Sequence, residues 1–153
     1  MQGFYGFSDL KIGMRVNVEG EYDLHDGTWR ARQISIKKDG NLAEMEGRIE
    51  SIDAPARTLR LHGLTLEMRP GFEILDLDKR PIGFEVLSAG TRIKVKGRIA
   101  GKRLEPERIK LKEETPDACD EMEGAIAGLD PGRRTLTVLG YRVVCAEDLE
   151  IEA

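Results

Sequence analysis

The chain matches itself, and this constrains its fold more than any other feature. When Gly6 is set on Gly83, "GFSDLKIGMRVNVEG" (Gly6 to Gly20) falls on "GFEVLSAGTRIKVKG" (Gly83 to Gly97). At the same offset "EMEGRIESID" (Glu44 to Asp53) falls on "EMEGAIAGLD" (Glu121 to Asp130), and "RTLRLHG" (Arg57 to Gly63) on "RTLTVLG" (Arg134 to Gly140). One gap suffices: the loop after the first strand is shorter in the second copy, so "RQISIKK" meets "ERIKLKE". The matched positions are glycines at turns and apolar residues at alternate places. Such a period predicts repeated structural units, here two domains, residues 1–77 and 78–153.

Each copy reads as strands. In "MRVNVEGEY" Val16, Val18, Gly20 and Tyr22 alternate with Arg15, Asn17, Glu19 and Glu21, the period of a half-buried strand. Ile34 and Ile36 alternate in the next segment. "DAPA" and "DPGR" then mark hairpin turns, and Gly63 or Gly140 precedes a fifth short strand. No segment sustains a helical period; only "FSDLKIG" and "FEVLSAG" could hold a helical turn. Five strands in so short a copy leave one face wet if flat, and closure removes the edges. Gly20, Gly47, Gly97 and Gly124 sit inside strands, where glycine marks a sharp bend. The expected fold is all-β: two tandem five- to six-stranded OB-like small barrels related by internal duplication. An open β-sandwich is the runner-up.

The order F-x-x-L-x-x-G-x-R-V-x-V-x-G, then E-G-x-I-x-x-I/L-D, then R-T-L-x-x-x-G resembles a bacterial family of unknown function, mostly exported, with tandem small β-barrels. The resemblance covers most of both copies. It implies the barrel fold and a periplasmic or extracellular location, and it supplies no catalytic or binding residue. Nothing at Met1 to Phe4 reads as a basic, apolar leader. The alternatives are therefore a cytoplasmic protein or a leader already removed.

Cys119 and Cys145 both fall in the second copy. A three-residue hairpin loop at Pro131 to Arg133, extended along both strands, sets them opposite one another. A cross-strand disulfide is then geometrically possible. It would close a loop of about 25 residues, worth ~3 kcal/mol in the chain-entropy model. The alternative is two packed thiols in a reducing compartment.

Charge is uneven. Arg92, Lys94, Lys96 and Arg98 share one face of a strand, and Arg108, Lys110 and Lys112 share a face of the next, which makes a basic hairpin. Its functional reading is an anionic partner. Its plain reading is neutralisation by the carboxylates of residues 113–123 on a neighbouring strand. Trp29 beside Arg30 and Arg32 is the one plausible aromatic–basic cluster, near the end of the longer loop of the first copy. Single-strand nucleic-acid binders need a basic groove with aromatic platforms. Here aromatics are 5% and the net charge is −4, which makes nucleic acid an unlikely partner.

No nucleophile elbow, zinc-protease motif or phosphate-cradling glycine loop is present. Two cysteines and two histidines lack zinc-ligand spacing. No run of about 18 apolar residues could span a bilayer. The expectation is a non-enzymatic binding or spacer module without cofactor or metal, taking an unknown protein or polysaccharide partner in the cell envelope. The alternatives are a cytoplasmic single-stranded nucleic-acid-binding OB-fold protein and a weak metal or anion binder using the carboxylate-rich strand.

Overall fold

The computed structural model describes residues 5–38, 40–70, 72–101 and 103–153. The chain runs through β1 (Arg15–Tyr22), β2 (Thr28–Lys37), β3 (Ala43–Arg48), β4 (Ser51–Asp53), β5 (Thr58–Leu61) and β6 (Leu64–Glu67). It continues through β7 (Glu73–Leu75), β8 (Arg92–Ala100), β9 (Arg103–Leu111), β10 (Asp120–Asp130), β11 (Thr135–Val138) and β12 (Tyr141–Glu152). Single 3-10 turns at Phe7–Asp9 and Phe84–Val86 occupy the two segments read as helical turns. The all-β expectation holds among the described residues.

The compact units are not the sequence copies. Unit 1 joins Met1–Asn41 to Glu121–Ala153, and unit 2 is Leu42–Asp120. This corrects the expected division into 1–77 and 78–153: each unit takes the front of one copy and the rear of the other. The physical reason lies in the matched residues themselves. Arg15 and Arg92 occupy equivalent places, as do Glu46 and Glu123, so either front offers the same bonds to either rear.

Unit 1 is a closed five-stranded barrel in the order β1-β2-β12-β11-β10, with β10 returning to β1. The β1–β2, β10–β11 and β11–β12 pairs are antiparallel, and β2–β12 is parallel. Alternation puts Val16, Val18, Trp29, Ala31, Ile34, Met122, Ile126, Val138 and Val143 in its core. Burying one such aliphatic side chain contributes about 1.5–3 kcal/mol.

Unit 2 has the order β3-β8-β9-β6-β5-β4, with β7 also on β9. β3 and β4 are separated only by Ile49 and Glu50, so the two ends of that order are consecutive along the chain. β9 runs parallel to β6 and β7 and antiparallel to β8. Its core includes Met45, Leu59, Leu61, Leu66, Ile93, Val95, Leu104 and Ile109.

Corresponding bonds recur in the two units. In unit 1 the Gly13 N–H donates to the Ile126 carbonyl at 2.8 Å and the Ile126 N–H to that of Met14 at 2.8 Å. In unit 2 Gly90 donates to Ile49 at 2.7 Å and Ile49 to Thr91 at 2.9 Å. The expected strand glycines have two jobs. Gly20 and Gly97 sit at β-bulges, where a Cβ would overlap the carbonyl oxygens of Arg30 and Glu105. Gly47 and Gly124 make room for the side chains of His62 and Leu139.

Candidate functional site

The first copy's longer loop, between β1 and β2, shapes a depression of about 550 Å³ in unit 1. The loop is held internally. The Asp23 N–H donates to the Thr28 carbonyl and the Gly27 N–H to that of Asp23, both at 2.8 Å, with Gly27 at φ +74°. That left-handed conformation suits glycine. The Asp26 carboxylate accepts from the Thr28 hydroxyl at 2.6 Å and the Thr28 N–H at 2.9 Å, and these bonds hold it below the usual carboxylate range.

A cluster of three aromatic rings packs at the depression, with Trp29 and Tyr141 buried. Tyr22, Trp29 and Tyr141 meet pairwise with centroids 5.6–5.7 Å apart in tilted or edge arrangements, the geometry that aromatic quadrupoles favour. Tyr22 and Trp29 themselves line it, with Val144 and the exposed Leu24. The polar lining is Glu21, Asp23, Asp26, His25, Thr28 and Arg30. Three carboxylates against one guanidinium make this rim unfavourable to phosphate. The arrangement can pack an apolar face against Tyr22 and Leu24 and exchange hydrogen bonds around it.

Trp29, Arg30 and Arg32 do not form the aromatic–basic cluster expected of them. Trp29 is fully buried, whereas Arg30 and Arg32 are exposed. Neighbours on a strand point to opposite faces, so the ring packs inside while the two guanidinium groups reach solvent. Arg32 pairs instead with Glu21 at 3.1 Å.

The basic hairpin exists, with two corrections. Arg92 is not on an open face: it is 5% exposed, its Nη1 donates to the Cys119 carbonyl at 2.9 Å, and it pairs with Glu46 and Glu114. The neutralising carboxylates also come mainly from elsewhere than residues 113–123. Lys94 and Lys96 lie 4.0 Å from Glu44 of β3, Arg98 3.7 Å from Glu107 of β9, and Arg108 3.2 Å from Glu73 of β7. From the 113–123 stretch Glu114 takes part, held down to about 2 by Arg48 and Arg92. Glu121 and Glu123 face β1 in unit 1, bonding Asn17 and Arg15. Lys94 lies opposite Lys110 and Lys96 opposite Arg108. Lys110 is half-buried and Lys112 exposed. Lys102, in the same basic stretch, lies outside the described residues.

No disulfide joins Cys119 and Cys145. The hairpin extrapolation that faced them ran straight through Leu139 and Gly140, where the chain turns. β11 ends at Val138, so Cys145 lies on the following strand, beside Ala31 of β2. Burial pushes its thiol up to about 11.

One residue was not singled out from the sequence. His62 is 3% exposed, with Nε2 2.9 Å from the Glu46 carbonyl. A carbonyl only accepts, so Nε2 carries the proton. Burial pushes the imidazole pKa below its usual value, and the charges of Asp120 and Glu50 oppose that shift. The available signal was the self-match, which sets His62 on Leu139.

A family model described as a domain of unknown function (DUF5666) matches residues 2–35 and 46–110. No curated protein and no solved structure matches the chain.

Proposed function

The chain belongs to the DUF5666 family, and since that membership assigns no activity we propose, from the site, a non-enzymatic module that binds a saccharide at the β1–β2 loop. We read both units as OB-like barrels of one duplicated sequence. The equivalent bonds of Gly13 and Gly90 with Ile126 and Ile49 support that reading. We also place the module outside the bacterial cytoplasm, as the family resemblance implies.

The observation that carries the binding assignment is the depression beneath the longer loop. The second copy joins β8 to β9 through residues 101–102 alone, so this loop is not required by the strand pairing. Tyr22 and Leu24, framed by carboxylates, a hydroxyl and an imidazole, suit an uncharged, polyhydroxylated ligand. The acidic rim and the ion-paired basic hairpin disfavour a polyanion.

Trp29 is the sole tryptophan and packs against Tyr22, which lines the site, so its emission reports a ligand that shifts Tyr22. Titration with N-acetylglucosamine oligomers is expected to shift that emission saturably, with Leu24→Asp weakening the response. A response only to single-stranded DNA of about 15 nucleotides would overturn the saccharide assignment in favour of nucleic acid. No response to either would leave a spacer and overturn the binding assignment. Fractionation of the native gene product tests the location: a cytoplasmic pool alone would contradict it.

A further inference from the structure

A second depression, of about 370 Å³, lies on the β10–β11–β12 meander of unit 1. Its lining follows from the strand register. Gly128 of β10 stands opposite Thr137 of β11, and Thr137 stands opposite Arg142 of β12. Residues opposite one another share a face, with Cβ atoms about 5 Å apart, and the next place on that face of β11 is Thr135. The alternate residues Leu136 and Val143 are buried in the core. A Cβ at Gly128 would stand 3.3 Å from the Thr137 hydroxyl, so glycine leaves that hydroxyl open. Thr135 is only 8% exposed, yet it lines the depression. Among the described residues the hydroxyls of Thr135 and Thr137 and the exposed Arg142 guanidinium have no hydrogen-bond or ion-pair partner. At the rim Arg133 lies 3.9 Å from Asp130, so the one lining carboxylate is engaged and Arg142 leaves a net positive charge. The fold does not require this set. The first copy puts Ser51, Arg60 and Thr65 in the equivalent row, and there Arg60 donates to the Gly63 carbonyl at 3.1 Å.

We infer that this depression binds the carboxylate of an acidic sugar. A guanidinium presents parallel N–H donors that match the two oxygens of a carboxylate, and the two hydroxyls donate to the same oxygens or accept from the sugar. A buried hydroxyl left without a partner is unfavourable, and a ligand oxygen satisfies Thr135. That the carboxylate belongs to a sugar rests on the saccharide reading of the β1–β2 loop, because the two depressions adjoin. Thr28, Arg30 and Val144 line the first. Arg142 of the second pairs with Thr28 across β12 and β2, and Thr135 stands opposite Val144. Neighbouring strands are about 4.8 Å apart, so a sugar chain with one unit beneath the loop brings the next to Arg142. An oligosaccharide that alternates neutral and uronate units suits both places. Its neutral unit avoids the carboxylates of the loop, and its uronate meets the unpaired guanidinium.

The carboxylate site is tested apart from the loop, by amide chemical shifts of the full chain titrated with glucuronate and with glucose. Glucuronate is expected to shift Thr135, Thr137 and Arg142 saturably, and glucose to leave them unmoved. No shift there with glucuronate would overturn the inference. Acetate binding as tightly as glucuronate would overturn the acidic sugar in favour of any small carboxylate. Arg142→Gln and Thr135→Val should each abolish the response at an unchanged melting temperature, since neither side chain has a protein partner to lose. Calorimetry then reads the link between the depressions. A hyaluronan tetrasaccharide, which alternates N-acetylglucosamine with glucuronate, should bind about tenfold more tightly than the N-acetylglucosamine tetramer. Arg142→Gln should cancel that difference and leave the neutral tetramer unaffected. Equal binding of the two tetramers by wild type would refute the inference and leave the loop assignment standing. Glucuronate shifts at Arg142 without binding of either tetramer would keep the carboxylate site and overturn the loop assignment.

Discussion

Replacing His62 by leucine, the residue that stands against Gly124 in the equivalent place, is expected to remove a pH dependence from unit 2. The imidazole is buried against Gly47, and leucine fills a similar volume; Leu139 adopts nearly the same left-handed backbone, φ 53° against 48°. What leucine lacks is the N–H that bonds the Glu46 carbonyl at 2.9 Å, a loss of about 1 kcal/mol at neutral pH. What it also lacks is a proton site. Burial keeps His62 neutral in the folded chain, against the pull of Asp120 and Glu50 and aided by the charge of Arg92. An unfolded histidine takes up a proton near pH 6.5, so below that the unfolded state binds more protons than the folded one. Stability is therefore complete above about pH 6.5 and falls as the pH drops towards the folded pKa, by at most ~1.4 kcal/mol per unit. Urea midpoints measured for both proteins at about pH 7.5 and 5.5 separate the two effects. His62→Leu should be the weaker protein at the higher pH and should draw level with or overtake wild type at the lower. Equal losses on acidification would refute the reasoning, because the carboxylates common to both proteins cancel in the comparison.

Gly97→Val should destabilise by about 2–4 kcal/mol, because its Cβ drives into the Glu105 carbonyl at the β8–β9 bulge. A fall in melting temperature no larger than that of exposed Lys96→Ala would contradict this. Trp29→Ala removes the central ring of the Tyr22–Trp29–Tyr141 cluster and should cost about 3–5 kcal/mol, measured by circular dichroism in denaturant. A loss under 1 kcal/mol would show that the ring packs loosely. Cys145, pushed up to about 11 by burial, should alkylate slowly near neutral pH in the folded chain. Both thiols should react fully in denaturant without reductant, whereas finding none would mean a disulfide.

Local features of the fold were legible because they are written in neighbouring residues. Val16 and Val18, or Ile93 and Val95, announce strands with one buried side, and Gly20 and Gly97 announce the places where backbones crowd. Partner choice was not legible. Arg15 finds Glu123 and Arg92 finds Glu46, but the self-matched sequence offers each arginine both glutamates in the same context. The place of the depression was legible, and the exposure of the side chains around it was not. The longer loop and Trp29 fall at the depression of unit 1, while the grouping of Trp29 with Arg30 ignored the alternation that buries the ring and exposes the cation. The cysteine pairing failed for a related reason: a register counted across Gly140 takes a turn for strand. Arg92 carried no local sign of burial, since its carboxylate partner on β3 is distant in sequence.

The most direct measurement is a pair of double-mutant cycles sharing one arginine. Arg15→Met is combined with Glu123→Gln in one cycle and with Glu46→Gln in the other, and each stability is read from urea unfolding. Exchange of halves between the copies predicts a coupling of about 1–3 kcal/mol for Arg15 with Glu123 and none for Arg15 with Glu46. Coupling of Arg15 with Glu46 instead would mean that each copy closes on itself, contradicting the account.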